Sequence, residues 1–197
     1  MQERLKKQLQ FCLEIDKEKQ IQRQTLKTDN THENDAEHAW HMAIMTLILH
    51  EYANETIDLL KTISMLLIHD LVEIDAGDTY AYDEDATKTQ EERENKAANR
   101  LFSLLSEDQA THFFQLWIEF EKGQTPEAKF AHTMDRFQPI MLNHATNGKM
   151  WKEHQVKYSQ ILDRNKNTSK GSKILWDVMQ ESFIKPHIDQ EIINDKK

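Results

Sequence analysis

Residues 63–73 read ISMLLIHDLVE, an apolar run that ends in the ionisable residues His69, Asp70 and Glu73. A run this apolar is expected in the core of a protein, where an adjacent histidine and aspartate are costly unless something compensates both. A bound metal ion would compensate them, because imidazole and carboxylate groups are natural metal ligands. A hydrogen-bonded His–Asp pair that caps a helix end would also do so. Taken alone, the stretch leaves both interpretations open.

The composition of the chain predicts an almost entirely helical fold. Its 197 residues include only four glycines and three prolines, so turns should be few and regular elements long. Alternating patterns of β-branched residues are scarce, whereas Leu, Met, Lys, Glu and Gln are abundant. The length suits one sizeable hydrophobic core. We therefore expect an all-α helical bundle that forms a single domain over residues 1–197.

Charge and cysteine content limit the classes of partner. The net charge of −9 argues against binding a nucleic-acid polymer, which requires a basic surface, but it permits a small anionic ligand beside a metal ion. The single Cys12 excludes an intramolecular disulfide and disfavours a thiolate zinc site. No run approaches the roughly 18 apolar residues of a membrane span, and the first residues lack the apolar core of a signal peptide. We expect a soluble cytoplasmic protein without membrane contact.

The first third of the chain is predicted to hold three helices. Residues 3–26 carry apolar positions on roughly one helical face, and residues 28–33 lack any hydrophobic pattern, which indicates a helix followed by a loop. Asn34 or Asp35 can cap the next helix, which is apolar nearly all round over residues 38–52 and is expected to be buried. A short break then leads into a helix over residues 57–74. Further along, the polar residues 79–90 are predicted to form a mobile lid or surface loop.

The lengths of the second and third helices bring His69 and Asp70 back to the level of His38. About 15 residues separate His38 from the connection between the helices, and about 13 separate the connection from His69. Helices joined by a short connection usually pack antiparallel, and at roughly 1.5 Å per residue the two lengths differ by only a few ångströms. The spacing therefore indicates one site, at the resolution of about one helical turn.

A further ionisable residue, Asp135, lies among apolar residues in a predicted helix over residues 126–144. Two histidines and two aspartates thus lie in or beside strongly apolar helices, where ionisable side chains need partners. Nitrogen and carboxylate ligands without a thiolate suit a first-row divalent ion such as Mn, Fe, Co or Zn. Four such residues spread over a hundred positions are a weak pattern in isolation.

The order and spacing of these residues resemble those of the HD-domain metal-dependent phosphohydrolases. The pattern consists of Glu37-His38, His69-Asp70, Glu73, Gly77-Asp78 and Asp135. The closer resemblance is to the small single-domain branch that contains the bacterial 5'-deoxynucleotidases, and it extends to residues 125–130 (TPEAKF) and 135–137 (DRF). It covers roughly residues 10–185.

The resemblance implies a metal site between the central helices. Its ligands would be His38, His69, Asp70 and Asp135, and its cofactor a divalent ion, either Mn, Co, Fe, Zn or Mg. Such an ion lowers the pKa of a bound water from about 15.7 towards 7, which supplies a nucleophile at neutral pH.

The resemblance also implies two catalytic carboxylates and a phosphate contact. Glu73 lies one turn beyond His69, so it could orient or deprotonate the attacking water. Asp78 could protonate or position the leaving 5'-oxygen. Arg23 could hold a phosphate through its planar fork and neutralise developing charge.

These features predict a metal-dependent phosphomonoesterase whose foremost substrate is a nucleoside 5'-monophosphate, cleaved to nucleoside and phosphate. Hydrolysis of another phosphorylated small molecule or of a signalling nucleotide stays open, as does a catalytically idle nucleotide-binding helical protein. In the deoxynucleotidase branch a tryptophan commonly follows the arginine and packs near the sugar, whereas Gln24 follows Arg23 here. The preference for ribose or deoxyribose is therefore open.

One aromatic cluster bears on oligomeric state. Four aromatic residues fall on a single predicted helix, namely Phe113, Phe114, Trp117 and Phe120. Together with the apolar helices they suggest surplus apolar surface, and we therefore expect a homodimer.

Overall fold

The computed structural model describes residues 2–79 and 88–196, most of which are helical. The helices are α1 Glu3–Glu14, α2 Asp35–Leu49, α3 Leu59–Ile68, α4 Glu73–Ala76, α5 Gln90–Phe102, α6 Glu107–Lys122, α7 Pro126–Ala145, α8 Lys149–Glu153, α9 Tyr158–Asn165 and α10 Lys173–Val178. Short 3-10 segments lie at Ile15–Gln20, His50–Tyr52, His69–Val72, Thr168–Lys170 and Lys185–His187, and a π-helical segment at Met179–Ile184. The all-α prediction is confirmed, apart from a small sheet. Residues 80–87 of the predicted lid lie outside the described residues.

The prediction of one helix over residues 3–26 is wrong. Helix α1 ends at Glu14, and the chain then forms strand β1 Gln22–Leu26, which pairs antiparallel with β2 His32–Asn34. Asn30 has a φ of 65°, and the Lys27 amide donates to the Thr31 carbonyl at 2.8 Å, which closes a tight turn between the strands. The apolar helical face stops near Ile15, so a longer helix would have had no further apolar surface to bury.

Helix α2 starts at a capping box, as its sequence indicates. The Asn34 side chain accepts a hydrogen bond from the Glu37 amide at 2.9 Å, and the Glu37 carboxylate accepts one from the Asn34 amide at 3.1 Å. The expectation that this helix is buried all round is wrong, because Trp40 and Ile48 are each 63% exposed. One side of α2 therefore faces the core and the other faces solvent.

The predicted helix over residues 57–74 is divided into three pieces. Helix α3 ends at Ile68, a 3-10 segment spans His69–Val72, and α4 ends at Ala76 and is followed by Gly77, whose φ is 76°. The tighter 3-10 winding begins at the His–Asp pair itself, so the two ionisable residues lie at a break in the regular helix. The 3-10 segment packs against α3, α4, α5 and the 3-10 segment Ile15–Gln20.

Helix α7 is central to the bundle and packs against α2, α3 and α6. Thr125 caps it by accepting a hydrogen bond from the Ala128 amide at 3.3 Å, and Pro126 occupies its first turn. Its buried residues join those of α3 in one hydrophobic cluster, which includes Met65, Leu66, Ala128, Phe130, Ala131 and Met134. No helix among residues 2–79 and 88–196 is long and apolar enough to cross a membrane.

The aromatic cluster of α6 serves the core and is not surplus surface. Trp117 and Phe120 are only 2% and 4% exposed, and Phe113 and Phe114 are partly buried against the same hydrophobic cluster. The sequence argument for a homodimer from these residues is therefore wrong, although the homodimer itself stays a prediction.

Candidate metal centre

Three of the residues predicted as metal ligands meet at one point. Helix α2 contributes His38 from its first turns, the end of α3 contributes His69, and the middle of α7 contributes Asp135. The Asp135 Oδ1 atom lies 3.4 Å from His38 Nε2 and 3.8 Å from His69 Nε2. One ligand atom from each residue lies within 4.8 Å of the others. The antiparallel arrangement predicted from the spacing of the two histidines thus brings them together.

Hydrogen bonds on the far side of each ring orient the two imidazoles. The Nδ1 atom of His38 lies 3.0 Å from Gln138 Oε1, and that of His69 lies 3.1 Å from the Leu66 carbonyl. Because both partners are oxygen acceptors, each Nδ1 carries a proton, and each Nε2 faces the centre, where it can offer a lone pair to a bound cation. Gln138 is fixed in turn by donating to Glu33 Oε1 at 2.6 Å.

Asp70 lies beside this group, and its two carboxylate oxygens have different neighbours. Its Oδ1 is 3.1 Å from His69 Nε2, and its Oδ2 is 4.0 Å from His38 Nε2. The same Oδ2 accepts a hydrogen bond from Arg23 Nη1 at 2.9 Å. Asp70 is therefore close enough to join the other three residues, and one of its oxygens is held by Arg23.

The chemistry of the four side chains fits a divalent cation. His69 Nε2 is buried and has no hydrogen-bond partner of acceptable geometry in the described part of the chain. Although burial acts against it, the charges of Asp70 and Asp135 raise the pKa of His69 to about 9. Burial likewise opposes the ionised form of Asp135, but the rings of His38 and His69 hold the pKa of its carboxyl well below the ordinary value. The centre thus favours a positive charge between nitrogen and carboxylate ligands, as a metal would supply.

The positive charge of Arg23 is balanced by the carboxylates of Asp35 and Asp70. Its Nη1 donates to Asp35 Oδ1 at 3.0 Å as well as to Asp70, and its side chain is only 14% exposed. Burial, followed by the charge of Asp70, raises the pKa of Asp35 to about 6. Sequence reasoning treated Asp35 only as a helix cap, and no local pattern distinguishes this ion-paired role.

Both predicted catalytic carboxylates line a cavity of about 210 Å³ that also contains His69 and Asp135. Glu73 is 7% exposed, and burial together with the charges of Asp70 and Asp35 raises its pKa well above the ordinary value. Burial also raises the pKa of Asp78. Burial therefore favours the protonated form of each group, which suits a proton donor. A cation bound in the same cavity would favour the ionised form that a proton acceptor requires.

The same cavity has cationic and amide residues to which sequence reasoning gave no role. They are Arg136, Arg164, Asn143 and Asn165. Asn143 and Asn165 are 9% and 2% exposed, and each has a buried Oδ1 atom without a hydrogen-bond partner in the described ranges. The sequence signal that could have drawn attention to Arg136 is its place next to Asp135 on a largely buried helix.

Comparisons with known proteins agree with this geometry. Residues 15–176 match the sequence profile of a family described as "HD domain". A crystal structure of a predicted metal-dependent phosphohydrolase from Magnetospirillum magnetotacticum MS-1 is 44% identical and superposes with a TM-score of 0.90, over 96% of this chain and 95% of that one.

Curated relatives match a shorter segment. The 5'-deoxynucleotidase HDDC2 of Bos taurus is 30% identical over 110 residues, which cover 55% of this chain and 52% of that protein. The 5'-deoxynucleotidase hdd1 of Schizosaccharomyces pombe is 27% identical over 112 residues, or 55% of each chain. The match thus spans about half the length of these relatives. Because the family profile covers most of the sequence, the chain belongs to the HD domain family.

Proposed function

We propose that this protein is a metal-dependent phosphomonoesterase that hydrolyses nucleoside 5'-monophosphates to nucleoside and phosphate. The observation that carries the proposal is the convergence of His38, His69 and Asp135, whose ligand atoms lie within 4.8 Å of one another. His69 and Asp135 line a cavity that Glu73 and Asp78 also line. The names of the relatives support the substrate class, because the curated matches are called 5'-deoxynucleotidases.

In this proposal His38, His69, Asp70 and Asp135 hold a divalent ion. The ion supplies Lewis-acid chemistry, which makes water acidic enough to act as a nucleophile near neutral pH. The Nδ1 contacts of both histidines keep their Nε2 lone pairs aimed at the centre, and Gln138 keeps the His38 ring in place.

The remaining residues of the cavity handle protons and charge. Glu73 orients the attacking water and accepts a proton from it, and Asp78 delivers a proton to the departing 5'-oxygen. Arg23, shared between Asp35 and Asp70, places positive charge beside the reacting phosphoryl group and keeps Asp70 in position.

A substrate panel tests the reaction. We expect hydrolysis of nucleoside 5'-monophosphates, in ribo and deoxy forms, when Mn²⁺ or Co²⁺ is added, and little release of phosphate from nucleoside di- and triphosphates. Preferential cleavage of a diphosphate bond, or no hydrolysis of any monophosphate with any divalent ion, would contradict the proposal.

The metal centre is tested separately by replacing His69 or Asp135 with alanine. Loss of one of four ligands should lower both bound metal, measured by elemental analysis, and the hydrolysis rate by about 100-fold or more. The matched control is His50→Ala, because His50 is exposed and the hydrogen bond of its ring is to the nearby Leu47 carbonyl of α2, at 3.1 Å. Retention of both metal and activity in the His69 and Asp135 variants would show that the centre is wrongly assigned.

A further inference from the structure

Arg136 lines the cavity, and two of its N–H groups meet no acceptor among the described residues. Its Nε and Nη1 atoms are buried and have no hydrogen-bond partner in the part of the chain that the structure describes. Its side chain borders the same space as His69 and Asp135. A buried guanidinium N–H without an acceptor is costly, so a residue in this state is suited to a ligand that supplies the missing acceptors.

A second cation lies near Arg136. Arg164 is exposed, lines the same cavity, and is close enough for its charge to act on both Asp135 and Arg136. Asp135 is the neighbouring anion, but it is already engaged by His38 and His69. An anion placed beside the two arginines would gain from both charges and relieve their mutual repulsion.

Arg23 presents the opposite case. Its Nη1 atom donates to both Asp35 and Asp70, so its charge is already balanced by protein carboxylates. A phosphate would have to compete with two fixed anions for this guanidinium, whereas it would meet no such competition at Arg136. Arg23 Nε also lacks a hydrogen-bond partner in the described ranges, but the charge of Arg23 is held by two carboxylates. Of the two arginines, Arg136 is therefore the one at which an added anion meets less competition.

We propose that Arg136, assisted by the charge of Arg164, is the principal side chain that binds the phosphoryl group of the substrate. A guanidinium presents parallel N–H groups whose spacing matches two phosphate oxygens, so Arg136 can bind the group through two hydrogen bonds. Arg136 directly follows Asp135 in α7, which keeps the bound phosphate in the cavity of the metal centre. The inference rests on the proposed function, because it assumes a phosphate ester as substrate.

The test is calorimetric titration of inorganic phosphate into wild-type protein and the variants R136Q and R136K, each with and without Mn²⁺. Loss of a charged hydrogen-bonding group should weaken phosphate binding about tenfold or more in R136Q. The phosphate affinity of R136K should lie between those of R136Q and the wild type. The lysine ammonium keeps the positive charge but lacks the parallel N–H groups of a guanidinium. The control is R4Q, because Arg4 is an exposed residue of α1 that pairs with Asp108. Phosphate binding by R136Q that equals the wild type would overturn the proposal.

Thermal unfolding distinguishes a binding role from a structural one. Because two buried N–H groups of Arg136 have no partner within residues 2–79 and 88–196, R136Q should melt at the wild-type temperature or above it. A lower melting temperature in R136Q that is restored in R136K would show that Arg136 serves the fold, and would overturn the proposal.

Activity separates this inference from the proposed function. Where the wild type hydrolyses a nucleoside monophosphate, R136Q should raise KM about tenfold, in line with its phosphate affinity. Loss of phosphate binding in R136Q, in a protein that cleaves no monophosphate, would support the anion site while contradicting the proposed function. Cleavage with an unchanged KM in R136Q would contradict the anion site alone.

Discussion

At the scale of single residues, the buried carboxyl group of Glu18 feels the charges of Asp70 and Asp35. Glu18 belongs to the 3-10 segment Ile15–Gln20, is 9% exposed, and has an Oε1 atom without a hydrogen-bond partner in the described ranges. Burial, followed by the charges of Asp70 and Asp35, raises the pKa of Glu18 to about 7. Such a group lowers stability whenever it is ionised, because the folded environment favours its protonated form.

The free energy of unfolding should therefore depend on pH through Glu18. Its ordinary pKa is 4.5 and its folded pKa is about 7, so the destabilisation grows as the pH rises between these values and is complete above 7. We expect Glu18→Gln to raise the free energy of unfolding at pH 8, by at most about 3 kcal/mol, and to change it little at pH 4.5. Urea denaturation of metal-free protein at the two pH values measures this. An equal increase in the free energy of unfolding at both pH values would exclude ionisation of Glu18 as the cause.

At the scale of elements, the β1–β2 hairpin and the start of α2 position the centre. The strands bring Arg23 to Asp35 at the first residue of α2, and the capping box fixes the helix turn from which His38 projects. Lys27 reinforces the cap by donating to the Glu37 carboxylate at 2.8 Å. The local structure on which His38 depends is thus defined by short-range hydrogen bonds.

Removal of this cap should cost stability. Asn34→Ala leaves the Glu37 amide without its acceptor, so we expect the free energy of unfolding to fall by about 1 kcal/mol. Chemical denaturation of Asn34→Ala and Asn34→Asp measures the effect. Asn34→Asp keeps an acceptor oxygen at the cap, so its free energy of unfolding should fall much less. Equal decreases in the two variants would mean that the cap hydrogen bond contributes little to stability.

At the scale of the whole molecule, four exposed apolar residues lie together on the outer side of α2. Trp40, Ile44, Leu47 and Ile48 recur at intervals of three and four residues, and their exposed fractions range from 39% to 63%. Contiguous apolar surface of this kind is typical of an interface. This outer side, rather than the aromatic cluster of α6, is the surface on which we expect a homodimer to form.

A charge on this surface tests the dimer. We expect Ile48→Glu to raise the dimer dissociation constant at least about tenfold, because a carboxylate in an apolar contact is costly to desolvate. Sedimentation equilibrium measures the constant. Leu13→Glu is the matched control, since Leu13 is 77% exposed on α1 and lies outside this surface. A wild-type protein that stays monomeric, or a dimer unaffected by Ile48→Glu, would contradict the prediction.

The sequence by itself determined the helical class, the cap of α2, the helix at residues 126–144 and the meeting of His38 with His69. These follow from composition, short-range hydrogen bonding and helix lengths, which depend on neighbours in the chain. For Asp135, a family pattern of ordered residues was needed in addition.

Only the tertiary structure decided the partners of each ionisable group. Distant segments of the chain bring Arg23 to Asp35 and Gln138 to His38. Folding also leaves two buried N–H groups of Arg136 without an acceptor in the described ranges. The β1–β2 pairing escaped prediction for the same reason, since a strand is stabilised by its partner. Hydrophobic periodicity predicts which side of an element is buried, but not which polar group it meets there.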